Sequence, residues 1–122
     1  VGFAGSKNWS AHHHGYLKRY FESGFATLAI HSFKSRSVES TVGEQTSVTT
    51  AMMITDAFAA INKLSRDDRI DSERIGITGW SLGGGVALFA AWEPIQKALS
   101  PNMRGQNVGI PRDSAACWAS DT

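Results

Sequence analysis

A chain of 122 residues has room for one small domain, and 42% hydrophobic against 19% charged residues is a globular balance, outside the disordered regime. Twelve Lys and Arg against eleven Asp and Glu leave a formal net charge of +1, so there is no electrostatic footprint for nucleic acid, an anionic membrane or a polyanionic partner. The lone cysteine, Cys117, rules out an intrachain disulfide framework and is compatible with a reducing, cytoplasmic compartment. No apolar run approaches the roughly 18–20 residues that cross a bilayer.

Taken in order, residues 1–15 (VGFAGSKNWSAHHHG) lack a period and read as a loop following a strand that ends near Val1. Tyr16, Leu17, Tyr20 and Phe21 fall at helical spacing, which predicts a helix over 16–23 closed by Gly24 as its C′ residue. FATLAI, residues 25–30, is a short continuous apolar run, as expected of a strand buried on both faces. Polar residues 34–47 read as a loop. Ala51, Ile54, Phe58, Ile61 and Leu64 then form one stripe of a helix over about 48–65. After the charged connection RDDRIDSER, residues 74–80 (RIGITGW) read as a second buried strand and residues 81–92 as a helix. Alternation of this kind predicts βαβ units, a parallel sheet flanked by helices in a three-layered α/β fold. Residues 93–122 carry Pro94, Pro101 and Pro111 and no strong strand, so the sheet is expected to stop early, with Asn107–Ile110 a weak candidate.

Chemistry concentrates in Gly79-Trp80-Ser81-Leu82-Gly83, a G-x-S-x-G pentapeptide between a β-branched strand (Ile75, Ile77, Thr78) and an apolar helix. In that setting the motif is a nucleophile elbow. The serine sits strained at the apex, the flanking glycines keep side chains away, and the N–H of Leu82 points at a developing oxyanion. The alternative is a glycine-rich turn with an unreactive serine. A serine needs a general base, normally His oriented by a carboxylate, in the chain order Ser, Asp or Glu, His. His12, His13, His14 and His31 all precede Ser81, and only Glu93, Asp113 and Asp121 follow it as carboxylates. This incomplete triad, together with an opening Val1, leads to the expectation that the chain is a fragment.

From about Gly15 to Trp92 the chain resembles the dienelactone hydrolase family of α/β-hydrolases, on HHHGYLKRYFESGFATLAIHSF and DAFAAINKLSRDDRIDSERIGITGWSLGGGVAL. RIGITGWSLGG is similar to that family's elbow, and SFKSR (residues 32–36) to its S-F-x-x-R loop. The resemblance implies a partial α/β-hydrolase fold over 1–122 as one incomplete domain with its C-terminal strands missing, a core over 15–92 and an atypical tail over 93–122. It implies Ser81 as nucleophile, Leu82 as one oxyanion donor, Phe3 as the position for the second with Ser6 next, and Asp and His partners beyond Thr122. The implied activity is hydrolysis of a small-molecule ester or lactone without cofactor or metal. The alternatives are a serine peptidase of the prolyl-oligopeptidase kind, an acyltransferase, or a non-catalytic α/β-hydrolase-like binding protein. A His downstream of the elbow would separate an enzyme from a binding protein.

Other residues take bland readings. The His12–His14 triplet is a polar loop near the site rim, because adjacent histidines diverge and no further ligand stands nearby. Asp56 belongs to a solvated helix face. Arg36 either binds a substrate carboxylate bidentately or is tied to backbone carbonyls, the second being favoured. Trp80 and Trp92 read as core, Glu39 and Glu44 as solvated, and Cys117 as unactivated.

Overall fold

The computed structural model describes residues 2–3, 9–40 and 46–99. Their order is β1 (Gly2–Phe3), α1 (Ala11–Glu22), β2 (Ala29–Ile30), a 3-10 turn (Lys34–Arg36), α2 (Thr50–Leu64), β3 (Thr78–Gly79), α3 (Leu82–Ala90) and α4 (Glu93–Leu99). The three strands, two residues each, form a parallel sheet in the order β2-β1-β3. Gly2 pairs with both Ala29 and Thr78, and Phe3 with both Ile30 and Gly79.

Successive strand residues point to opposite faces, and both faces of this sheet are covered. Ile30 and Ile77 pack into a cluster built on Phe33, Val48, Met53, Ile54, Ala57, Phe58, Ile61, Ile75, Val86 and Ala90, most of them from α2 and α3. Ala29 instead joins Trp9, Trp80, Tyr16 and Leu17 on the side of α1. The chain steps from β1 outward to β2, then returns past β1 to β3. With right-handed crossovers, such a reversal puts α1 and α2 on opposite faces and opens a crevice where the carboxyl ends of β1 and β3 diverge.

α1 begins at Ala11, five residues earlier than its apolar spacing suggested, because Ser10 caps it. The histidine triplet therefore lies on the first turn of a helix and not in a loop. The helix ends as the sequence implied. Gly24 takes φ +90°, its N–H donates to Phe21 O at 3.0 Å, and Phe25 N–H donates to Tyr20 O at 3.0 Å. This is a Schellman motif, with the rings of Tyr20 and Phe25 supplying its hydrophobic contact at 6.3 Å. Of the FATLAI run, Ala29 and Ile30 join the ladder opposite Gly2 and Phe3, and the run is not buried on both faces, for Phe25 is 60% exposed beyond the sheet. Thr49 caps α2. The charged connection turns on Asp67 and Asp71, whose carboxylates accept from the N–H groups of Arg69 and Glu73, both at 3.1 Å. α4 was not expected. Pro94 is tolerated as its second residue, where no N–H is needed, and Ile95 and Leu99 pack against the main cluster. Trp92, read as core, is 55% exposed. Asn107–Ile110, Asp113, Cys117 and Asp121 lie outside the described residues, as does Glu44.

Arg36 and Asp56 join the turn after β2 to α2. Arg36 Nη1 and Nη2 donate to Asp56 Oδ2 and Oδ1 at 2.7 and 2.9 Å, and Nη1 also donates to Ser32 O at 2.9 Å. Asp56 is thus a half-buried ion-pair partner and not a solvated residue. Burial pushes its carboxyl up, but hydrogen bonding from Arg36, the nearby Ser32 hydroxyl dipole and the guanidinium charge outweigh it and hold the carboxyl below its ordinary value. The buried Ser32 Oγ forms no hydrogen bond of ordinary geometry among the described residues, so its part is that of a dipole near the pair. Asp56→Ala leaves Arg36 half-buried and unpaired, with an expected loss of about 1–3 kcal/mol in urea unfolding at pH 7. Because the folded carboxyl titrates below the unfolded one, the stabilisation is full above the ordinary value of 3.8 and fades as pH falls through the folded value. Wild-type and variant stabilities are expected to converge in acid.

Candidate active site

β3 passes into α3 through two residues, Trp80 at the bend and Ser81 as N-cap. Ser81 has φ 52° and ψ −119°, a region that costs a non-glycine residue about 1–3 kcal/mol. It is exposed, and its hydroxyl does not cap α3. Around it the backbone winds at once into the helix: Gly83 N–H donates to Trp80 O at 2.9 Å, while Gly84 and Gly85 N–H donate to Ser81 O at 2.9 and 3.2 Å.

Glycine is required here by space. A Cβ on Gly79 would lie on the carbonyl of Gly83 and 2.9 Å from Gly84 N, and a Cβ on Gly84 would approach Gly79 O to 3.3 Å. The strand and the first turn of the helix touch backbone to backbone. Gly85 meets nothing within 4 Å, so its glycine has no steric cause.

Leu82 is the first helical residue, whose N–H has no intrahelical acceptor, and it stands at the positive end of α3. Phe3 is the last residue of β1 and lies in register with Gly79. Its backbone therefore lies beside the strand that leads to Ser81, whereas Ser6 lies outside the described residues. The structure thus brings Ser81, Leu82 and the Phe3 backbone to one sheet edge. Arg36 is not part of this group, since its fork is occupied by Asp56.

One feature of the site edge was not read from the sequence. Trp80, 8% exposed, sits among rings: His13 at 4.9 Å, Tyr16 at 5.6 Å and Trp9 at 6.1 Å. Trp9 in turn touches His13 at 5.8 Å, His14 at 6.1 Å and His31 at 5.6 Å. The signal was Ser10 three residues before His13, a capping-box spacing with His in the place usually held by Glu or Gln. Desolvation and the neighbouring His12 and His14 hold the His13 pKa below its ordinary value. Among the described residues, no three His, Cys, Asp or Glu side chains are grouped to hold a metal ion, and no helix is long and apolar enough to cross a membrane.

A strained serine thus stands between a parallel strand and a helix, next to the first helical N–H. The chain belongs to the acetyl xylan esterase (AXE1) family, an α/β-hydrolase esterase family whose model matches residues 41–105, 65 of the 122 residues. Two Escherichia coli relatives, each described as an uncharacterized 31.7 kDa protein in the traX-finO intergenic region, are 36% identical over 76 and 75 residues. Each alignment covers 62% of this chain but 26% and 25% of the relatives, so the chain spans about a quarter of their length. No solved structure matches it.

The glycines can be tested without reference to activity. Gly79→Ala is expected to destabilise by at least about 1–3 kcal/mol, since backbone and not a side chain would have to move. Gly85→Ala, in open helical space, is expected to stabilise by about 0.5–1 kcal/mol. Thermal unfolding of both variants checks the contrast, and equal effects would contradict the packing described.

Proposed function

We propose that this chain is the nucleophile-bearing part of a serine hydrolase of carboxylic esters with the α/β-hydrolase fold. The observation that carries the reading is the backbone of Ser81, strained at the strand-to-helix turn of a chain from an esterase family. Ser81 Oγ attacks the ester carbonyl carbon and its proton passes to a histidine base. The oxyanion is held by the N–H of Leu82 and a second backbone N–H from the Phe3 segment. The C–O bond to the alcohol breaks, and the alcohol leaves with the proton from the histidine. Water, deprotonated by the same base, then cleaves the acyl-serine and restores Ser81. The base and its carboxylate lie outside these 122 residues, following the chain order of the fold.

A neutral ester fits better than an anionic one, because Arg36 is engaged by Asp56 and offers no free fork to a substrate carboxylate. The lactone chemistry of dienelactone hydrolases uses the same elbow. It is the second reading, supported by the Ser32–Arg36 and Arg74–Gly84 segments.

The full-length protein is expected to hydrolyse p-nitrophenyl acetate and to be labelled by a fluorophosphonate at Ser81. Ser81→Ala should lower kcat by about 10⁴- to 10⁶-fold and abolish labelling. Dihydrocoumarin and a p-nitroanilide, run in parallel, separate lactone and peptidase readings. Turnover or labelling that survives Ser81→Ala would sink the assignment.

A further inference from the structure

Among the rings around Trp80, His13 is also tied to the backbone. Ser10 N–H donates to its Nδ1 at 3.1 Å, and Ser10 Oγ lies 3.2 Å from the same atom. In return, His13 N–H reaches Ser10 Oγ at 3.5 Å. A backbone N–H can only donate, so Nδ1 must be unprotonated and the ring proton sits on Nε2. The same ring lies 4.9 Å from Trp80. Trp80 holds the carbonyl that receives Gly83 N–H and is bonded directly to Ser81. One imidazole therefore closes the start of α1 and braces the residue on which the Ser81 turn is hung.

We infer that His13 is a positioning residue for the Ser81 elbow, acting through Trp80, and that only its neutral form serves, so that acid loosens the elbow. Protonation would set an Nδ1–H against the Ser10 N–H and break the capping box. It would also place a positive charge at the positive end of α1. Among the described residues, no carboxylate faces His13 to compensate that charge. On α1 the groups facing it are His12, His14 and Tyr16, and the first turn holds no acidic residue. From the preceding segment they are Trp9 and Ser10, from the elbow Trp80, and behind Trp9 stands His31. The sign follows. The folded pKa lies below the unfolded value of 6.5, so the stabilisation is full above 6.5 and is lost as pH falls below it toward the folded value.

The structural coupling stands independently, whereas its consequence for chemistry rests on the Ser81 reading proposed above. The test compares full-length wild type, His13→Gln and His13→Ala between pH 8 and 5. Gln supplies a non-titrating acceptor at the same capping-box position. Imidazolium quenches an adjacent excited indole, so wild-type tryptophan emission is expected to fall as His13 protonates, and His13→Gln should lose the part of the step that comes from this ring, leaving only what His14 and His31 contribute beside Trp9. His13→Ala should melt about 2–4 °C below wild type at pH 8, with His13→Gln restoring the difference. In wild type the melting temperature should fall with the emission, and fluorophosphonate labelling should fall more steeply in acid than in His13→Gln, which keeps only the titration of the general-base histidine. An emission step unchanged in His13→Gln, or labelling profiles that coincide in wild type and His13→Gln, overturns the inference. Absence of labelling in wild type at every pH would instead refute the hydrolase reading, and the emission and melting data would still decide the role of His13.

Discussion

The contact on which the rest depends is that of Gly79 with Gly83, backbone against backbone across the turn from β3 into α3. It fixes how sharply the chain can leave the sheet, and hence where Ser81 must stand and with what dihedral angles. The turn is costly in three ways: the positive φ of Ser81, an uncapped helix start, and three successive glycines in a nine-residue helix, each glycine about 1 kcal/mol poorer than alanine. The offset comes from burial further along. Val86 and Ala90 are fully buried, and Ile75 on the incoming segment enters the same apolar cluster. The strained turn is clamped between two anchored ends.

The two faces of the sheet differ in chemistry. Below, α2 and α3 meet over apolar side chains, Phe33 and Phe58 among them, that pack without polar partners. Above, α1 covers the sheet with rings carrying nitrogen, and that face borders the elbow. The Arg36–Asp56 pair adds a charge-neutral strut between the turn after β2 and α2. Its spacing of 20 residues along the chain makes it invisible to periodicity, and so Asp56 read as a solvated residue. Element type was legible wherever the apolar period was long or a glycine punctuated it: α2 from its stripe, the end of α1 from Gly24, the elbow from its glycines. Boundaries were not. The length of a strand depends on its partner, which a run such as FATLAI does not contain. The start of α1 was hidden because His13 does the work of Glu or Gln at the third position. Trp92 read as core because it continued the apolar α3 segment, yet it falls at the helix end, where burial depends on what packs beside it.

The uncapped start of α3 carries the functional reading furthest. A helix beginning with Ser would ordinarily satisfy one of its free N–H groups with the serine hydroxyl, a contribution of about 0.5–2 kcal/mol. Here φ of 52° turns that hydroxyl away, and no acidic side chain in the first turn replaces it. The fold thus forgoes a local stabilisation at the same residue where it also bears backbone strain. Either cost alone could be an accident of packing. Their coincidence at one exposed serine, with the N–H of Leu82 beside it, is what a nucleophile and an oxyanion site jointly require. A structural serine in a glycine-rich turn would gain from capping its helix and would lose nothing by relaxing its backbone.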